Sequence, residues 1–381
     1  LHSFPTRRSS VLEIEHRHRL SFLLKGLLVK LHHLERHYLR PSKVHVKASV
    51  IIDEHICVTI SVTREFTYLL PLSLARVYGD KVSMGGILIY NVVAFMTQPL
   101  TGLQADRMVH RHWLLLWSAL LLTLAVAVAS CIPMLMADSQ NLMWDGLGEC
   151  MIISVAILLG AGNSFFHVWG GKQAVVKTGN DIRALGVFVS TGVMGLAVGL
   201  ICRSWLLLYG LLLVYIGLAV MYVRCDNFEN VETQKVISLP RAFIPPYSRK
   251  RLTWMLVVAL ILFVCYRSFA SELFSGGTTK TQEMTLWIAV SAMLGKIAGG
   301  WIARWMGVLW SLMVILAGVA LCFFFIGDSY EPVLMAGVFL INCTMPITLY
   351  LTNLLLPNRE GLAFGLLAAA LLPGYLLAVY L

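Results

Sequence analysis

The chain has 381 residues, of which 58% are hydrophobic and only 13% are charged. A soluble domain contains about 45–50% apolar and about 25% charged residues, so this composition excludes an ordinary soluble protein. The formal net charge is +10, but ten basic and three acidic residues fall within positions 1–47, which therefore hold most of the excess. Because the rest of the chain is close to neutral, we expect no nucleic-acid partner.

Residues 1–47 are unlike the rest of the chain. Residues 3–10 resemble an in-frame translation of a sequencing adapter, which favours interpreting the segment as an artefact. As natural sequence, the regularly spaced leucines and basic residues of 11–47 would instead form an amphipathic helix at the membrane surface. We expect an artefactual, disordered or interfacial extension that adds nothing to the fold.

Apolar runs of about 20 residues, the length that a helix needs to cross a bilayer, follow one another from there to the end. They predict an all-α polytopic membrane protein. The first run contains Asp53 together with Glu54, His55, Arg64 and Glu65, so it is the least regular. The last run ends at Leu381 without a polar flank, and we expect the chain to lack a twelfth helix. The predicted segments are 48–72, 84–104, 113–136, 147–168, 184–202, 204–223, 252–272, 284–303, 306–326, 332–355 and 361–381.

Lys and Arg are distributed unequally between alternate loops. The loops after segments 2, 4, 6, 8 and 10 hold thirteen of them, and the other loops hold four. Since cytoplasmic loops are enriched in Lys and Arg, the even-numbered loops are predicted to be cytoplasmic. The longest polar stretch, 224–251, is predicted to be a cytoplasmic linker between an N-terminal six-helix bundle, 48–223, and a C-terminal bundle, 252–381.

Two short patterns indicate an internal repeat. Gly102-x-x-x-Asp106 follows segment 2, and Gly300-x-x-x-Arg304-x-x-Gly307 follows segment 8 at the matching place. Segments 5 and 11 also open similarly, with Arg183-Ala-Leu-Gly-Val-Phe and Arg359-Glu-Gly-Leu-Ala-Phe. Because these matches fall at equivalent places in the series of apolar runs, they predict two bundles related by a pseudo-twofold axis.

The charged turn after segment 2 carries a family resemblance. Gly102, Asp106, Arg107 and Arg111 match the Gly-xxx-Asp-Arg/Lys-x-Gly-x-Arg pattern between helices 2 and 3 of the major facilitator superfamily, which the chain resembles over roughly 84–381. Val109 and His112 depart from that pattern, where a glycine and a second basic residue are usual. Residues 162–171 are also similar to a little-characterised bacterial branch, which implies a bacterial inner membrane. The resemblance implies twelve helices in two bundles and secondary transport by alternating access.

The resemblance also implies a role for this turn as a cytoplasmic gate. Asp106 would meet the N-terminus of helix 11 near Gly361, where the helix dipole favours a carboxylate. The cluster would latch the cytoplasmic side in the outward-facing state and break in the inward-facing state. The alternative is a positive turn that only sets the topology. The pattern at Gly300, Arg304 and Gly307 would be a degenerate copy of the gate.

Titratable residues inside a span are costly and usually face a cavity or a partner. Arg267 is the best placed of them: it needs an anionic substrate or an acid from the other bundle, unless it snorkels to the surface. Lys296 is expected to snorkel. The candidates for the substrate or ion pathway, including polar uncharged residues, are Asp53, Asn91, Asn163, His167, Arg267, Glu272 and Asn342.

These observations predict a secondary active transporter that moves a small solute, coupled to an ion gradient with the proton as the coupling ion. We expect a monomer in the lipid bilayer, with no cofactor, no resident metal and no catalytic residues. The alternative is a non-transport membrane protein, either a scaffold or a membrane-embedded enzyme, although no enzyme motif is present. Neither the substrate nor the direction of transport can be read from the sequence.

Overall fold

The computed structural model describes residues 80–108, 112–136, 142–202, 205–226, 249–276, 282–325 and 331–380. The extension 1–47, the predicted first segment 48–72 with Asp53, and Arg111 lie outside these ranges. All regular structure in the described part is helical. The helices are α1 (Asp80–Met96), α2 (Gln98–Arg107), α3 (Trp113–Met136), α4 (Leu142–Thr178), α5 (Ile182–Cys202), α6 (Trp205–Asp226), α7 (Arg249–Gly276), α8 (Gln282–Met306), α9 (Val308–Phe324), α10 (Glu331–Leu355), α11 (Glu360–Ala369) and α12 (Leu371–Tyr380).

Predicted segments 2–11 each overlap one or two of these helices. Segment 2 corresponds to α1 and α2, which are separated at Thr97, immediately before a helix start that carries Pro99. Proline has no N–H for the helix ladder, so it is accommodated best in a first turn. Segment 11 is likewise divided into α11 and α12, just before Pro373.

Helix α4 is much longer than the sequence predicts, because it continues to Thr178 instead of ending near 168. Gly170 and Gly171 look like a turn, but both lie inside the helix. A Cβ at Gly171 would overlap the ring of Phe364 in α11. The glycine is therefore explained by close packing, and the last turns of α4 project beyond the apolar run.

The outer surface of the helices is apolar. Within the described residues, seven helices are long and apolar enough to cross a membrane. Trp305, Leu206 and Phe324 each expose more than four fifths of their area, at 85%, 83% and 81%. Large apolar side chains exposed in this way require a lipid surrounding, because soluble proteins keep such patches small. The protein is an all-α integral membrane protein.

The buried apolar residues form separate cores in the two halves of the chain. One core joins α1, α3, α4 and α6 around Phe166 and Tyr215, and another joins α7 to α10 around Phe274 and Ile315. A third cluster, which includes Phe364, connects α4 and α5 with α7, α10 and α11. In this third cluster the two halves meet through α4 and α5 on one side and α7, α10 and α11 on the other. The domain boundaries at 224–251 remain a prediction.

Candidate functional site: two helix crossings at the Asp106 end

Two helix pairs join the halves at the end of the molecule that contains Asp106. We call the contact of α2 with α11 the first crossing, and the contact of α5 with α8 the second crossing. Both pairs lie close together because glycines face backbone at the contact, as is common where membrane helices approach closely.

In the first crossing, the backbones of α2 and α11 touch at two levels. A Cβ at Gly102 would lie 2.8 Å from the Leu362 nitrogen and would overlap the Gly361 carbonyl. One turn away, a Cβ at Gly365 would lie 2.9 Å from the nitrogen of Pro99. Any larger residue at these glycines would have to push backbone away, so the contact depends on them.

Asp106 caps the N-terminus of α11 from across the crossing. Its Oδ1 accepts a hydrogen bond from the Gly361 N–H at 2.9 Å, and its Oδ2 accepts one from the Leu362 N–H at 2.9 Å. Arg359, the N-cap residue of α11, makes no capping hydrogen bond with its own side chain. The first N–H groups of a helix lack partners within the helix, and the positive end of the dipole favours a carboxylate. A side chain of the other half therefore completes this helix.

Lys172 joins the same carboxylate from α4. Its Nζ lies 3.1 Å from Asp106 Oδ1 and donates to the carbonyl oxygen of Ala105 at 2.8 Å. The side chains of Lys172 and Asp106 are only 15% and 8% exposed. The sequence gives no indication of this contact, because Lys172 lies 67 positions from Ala105 in a stretch predicted to be a loop. The sequence shows only that Lys172 follows a long apolar run by about one helical turn, and this position names no partner.

The second crossing repeats the contacts of the first. A Cβ at Gly300 would lie 2.6 Å from the Ile182 oxygen, and a Cβ at Gly186 would lie 2.6 Å from the Lys296 oxygen. Lys296 and Gly300 stand 198 residues after Gln98 and Gly102.

The facing helices are related in the same way, since Ile182 and Gly186 stand 179 residues before Gly361 and Gly365. In the structure, corresponding residues of α5 and α11 are therefore 179 positions apart. The sequence comparison instead aligned Arg183 with Arg359, which are 176 positions apart, so the two alignments differ by three residues. The alignment of the two arginines is wrong, because the contacts in the structure make Gly186 equivalent to Gly365.

The charges of the second crossing are arranged differently. Arg304 in α8 stands where Asp106 stands in α2, and the acid is Asp181, at the start of α5 itself. Asp181 Oδ1 accepts a hydrogen bond from the Arg183 N–H at 3.0 Å, and its carboxylate pairs with the Arg183 guanidinium at 2.7 Å. The N-terminus of α5 is thus capped by Asp181, the residue that immediately precedes it.

The electrostatic surroundings favour the ionised form of Asp181. Burial raises the pKa of this carboxyl, but the hydrogen bonds and charge of Arg183, with the charge of Arg304 added, lower the pKa below its ordinary value. Arg183 also lies over the ring of Trp301 in α8, 5.2 Å from its centre. A cation–π contact therefore joins the two helices of the second crossing.

The remaining residues of the repeated pattern are in different surroundings. Arg107 is exposed at the end of α2. Gly307 joins α8 to α9 with φ at 89°, a conformation that glycine adopts without strain. It stands 198 residues after Val109, so the second copy keeps a glycine that the first copy has replaced.

The polar candidates of the apolar spans do not form one cluster of contacts. In α4, Asn163 donates to the Tyr90 hydroxyl at 3.0 Å, whereas its Oδ1 has no partner. The ring of His167 lies 5.8 Å from that of Phe364. Asn91 is buried, and Asn342 donates to the Val338 carbonyl of its own helix. Their role in a pathway remains a prediction.

Two basic residues are buried within the spans. Arg267 in α7 is 5% exposed, and its Nε has no hydrogen-bond partner. Lys296 in α8 is 8% exposed. This burial argues against the snorkelling expected for Lys296 and considered for Arg267. Glu272 lies near the end of α7, where its carboxylate accepts a hydrogen bond from the Ser275 hydroxyl at 3.4 Å.

Comparison with known proteins gives a fold but no relative in sequence. No family model matches the chain, and no curated protein sequence matches it. Solved structures do match: a bacterial homologue of the iron transporter ferroportin in an outward-facing state has a TM-score of 0.58 at 12% identity, covering 86% of this chain and 90% of that chain.

Two further structures agree. The major facilitator superfamily transporter FucP, the fucose:proton symporter of E. coli, in its outward conformation gives a TM-score of 0.57 at 10% identity, covering 86% of this chain and 91% of that chain. The human organic anion transporter MFSD10 (TETRAN) gives 0.54 at 14% identity, covering 86% and 94%. The chain has the fold of the major facilitator superfamily.

Proposed function

We propose that the chain is a secondary active transporter, and not an enzyme, that moves a small solute by alternating access. The fold supports transport, since the matching structures are named as a fucose:proton symporter, an organic anion transporter and a homologue of an iron transporter. Their cargoes differ, so the fold does not select a substrate. A proton gradient is the proposed energy source, and a monomer in the bilayer is the proposed unit.

The observation that carries this proposal is the capping of α11 by Asp106 across the first crossing. If the halves separate at this end, the N–H groups of Gly361 and Leu362 lose their acceptor and must find water instead. A cap of this kind stabilises a helix by about 1–2 kcal/mol. The contact therefore favours the closed arrangement over an open one by a modest amount, which a bound substrate can overcome. Gly102, Asp106, Arg107 and Arg111 form the proposed gate.

The charge distribution supports an orientation. Lys172, Lys177, Arg183 and Arg304 all lie at the Asp106 end, and basic residues concentrate on the cytoplasmic side. We place this end in the cytoplasm of a bacterial cell, with the even-numbered loops. The structure then corresponds to an outward-facing state, closed on the cytoplasmic side by both crossings.

A crosslink across the first crossing tests the proposal. Met108→Cys and Arg359→Cys place thiols on exposed positions of the two halves, outside the four proposed gate residues, in a protein whose native cysteines are replaced. Vesicles containing this variant are assayed for flux of labelled neutral sugars, amino acids, organic anions and organic cations, with and without a protonophore. We expect one solute class to accumulate, the protonophore to abolish accumulation, and a short thiol crosslinker to stop flux until it is cleaved.

The two single cysteine variants, treated with the same crosslinker, are the matched controls and should keep their flux. If no solute class moves above vesicles without the protein, the transport proposal is wrong. If the crosslinked protein transports at the rate of the reduced protein, transport does not require the Asp106 end to open.

A further inference from the structure

Arg267 lies deep within the apolar part of α7. It follows Arg251, the first residue of the span Arg251–Ser275, by 16 residues, which is roughly 24 Å along a helix that rises about 1.5 Å per residue. Because the hydrocarbon core is about 30 Å thick, the guanidinium group is inside it. The side chain shares the buried face of α7 with Val264 and Ala270, whereas Tyr266 beside it is 44% exposed to the lipid side.

The described part of the chain offers this guanidinium no hydrogen bond and no ion pair. Its Nε is buried without a partner. Glu272, the nearest acid along α7, is five residues away and thus on a different face of the helix, with the Ser275 hydroxyl at its carboxylate. Buried polar groups normally have partners, and an exception calls for an explanation.

Lys296 in α8 is the second basic residue buried within a span. The other described acids of the gate region, Asp106 and Asp181, lie at helix ends and are already engaged by Lys172 and Arg183. Neither of these two acids is therefore paired with Arg267.

We propose that Arg267 binds the substrate and that the substrate is a small anion with a carboxylate or phosphate group. This inference rests on the proposed transport function and adds the substrate class. Guanidinium presents a planar fork of N–H donors that matches two oxygens of such a group. An anion entering from water would thus supply the missing hydrogen bonds and cancel the buried charge.

The competing arrangement is an internal ion pair with Asp53 of the predicted first segment. The two arrangements differ in what happens when Arg267 is neutralised. If the group lacks an internal partner, its removal takes away an uncompensated buried charge, and the empty protein becomes more stable. If Asp53 is its partner, the same change leaves a buried carboxylate alone and lowers stability.

The test is a thermal-unfolding series on the purified protein in lipid nanodiscs. Sodium succinate and sodium phosphate are the probes, with sodium chloride at matched ionic strength and glucose as comparisons. For the unaltered protein we expect at least one of the two oxyanions to raise Tm by about 2 °C or more at saturation, and chloride and glucose to leave it unchanged. A response to succinate alone or to phosphate alone identifies which of the two groups the site takes.

The key variant is Arg267→Gln. We expect it to unfold at a higher Tm than the unaltered protein in the absence of anion and to lose the response to anions. Arg267→Lys keeps the charge without the fork, so it should bind the same anion at least about tenfold more weakly, which keeps the proposal testable if the glutamine variant does not fold. Arg359→Gln removes an exposed arginine and should respond like the unaltered protein.

Three results would overturn the inference. In the first, neither anion raises Tm. In the second, Arg267→Gln retains the anion response. In the third, Arg267→Gln and Asp53→Asn each lower Tm and their double variant is no worse than either, as for an internal pair. The thermal shift measures binding, so it can be separated from transport. If anions bind but no solute is transported, the transport proposal is wrong and the anion site stands. If a neutral solute is transported and no anion binds, the anion site is wrong and the transport proposal stands.

Discussion

The two crossings share their packing and differ in their electrostatics. At both, glycines let a helix of one half rest on the backbone of the other half, with corresponding residues 198 apart in α2 and α8 and 179 apart in α5 and α11. At the first crossing the capping acid, Asp106, comes from the opposite half. At the second it comes from the capped helix start itself, as Asp181.

This difference determines what separation of the halves would cost. Opening the first crossing removes the acceptor from two N–H groups of α11. Opening the second leaves α5 capped by Asp181, breaks the packing and the contact of Arg183 with Trp301, and separates Asp181 from the charge of Arg304. We therefore propose that the first crossing acts as an electrostatic latch and that the second contributes mainly packing.

The largest effect is expected from the feature that the crossings share. Gly102→Ala places a Cβ 2.8 Å from the Leu362 nitrogen, and Gly300→Ala places one 2.9 Å from the Arg183 Cα. Because the obstructing atoms are backbone, both changes should lower Tm, with a cost of about 1–3 kcal/mol. Differential scanning fluorimetry of the purified variants measures it.

The matched control is Gly210→Ala in α6, where an added Cβ would meet nothing within 4 Å. This change should leave Tm unchanged or raise it slightly, since alanine favours helix over glycine. If Gly102→Ala were as stable as Gly210→Ala, the close approach of α2 and α11 would be wrong.

A smaller effect is expected at the first crossing alone from Lys172→Met. The change removes the ion pair with Asp106 and the hydrogen bond to Ala105, and it should cost about 1–2 kcal/mol, because Asp106 keeps its two N–H donors. Lys172→Arg should restore part of the loss. Lys177→Met removes the same charge from the same helix, at a residue 4.5 Å from the Tyr222 ring centre, and should cost less. Equal losses in thermal unfolding for Lys172→Met and Lys177→Met would contradict a specific pair.

The smallest effect belongs to the second crossing and depends on pH. The pKa of Asp181 is lowered in the folded protein, so its stabilising contribution is present above the ordinary value and is lost as pH falls through the folded pKa. Asp181→Asn should therefore cost about 0.5 kcal/mol at pH 7, a discounted value because the pair is about one third exposed. The difference in Tm should shrink on titration below about pH 4. If the difference in Tm between the two proteins grew in acid, the pKa of Asp181 would not be lowered in the folded protein.

The sequence predicted features that depend on contiguous residues. The apolar runs placed the helices from α3 to α10, and the Gly102–Asp106 spacing, with the family resemblance, pointed to the start of α11. Asp106 does lie there. The contact of Lys172 with Asp106 was not predictable, because the two residues are far apart in the chain. The capping of α5 by Asp181 is local, and an aspartate just before an apolar run is a sequence signal for it that the predicted start at 184 left out. The end of α4 was misplaced because packing against Phe364 explains Gly171, and sequence alone reads it as a turn.

The central claim is that Asp106 latches the two halves and that Arg304, its counterpart, does not. Spin labels at Met108→Cys and Arg359→Cys, in the protein without native cysteines, report the separation of α2 and α11 by double electron–electron resonance. We predict a single short distance for the unaltered gate and for Arg304→Ala, and an additional longer distance for Asp106→Ala. A longer distance in Arg304→Ala equal to that in Asp106→Ala, or none in Asp106→Ala, would contradict the account.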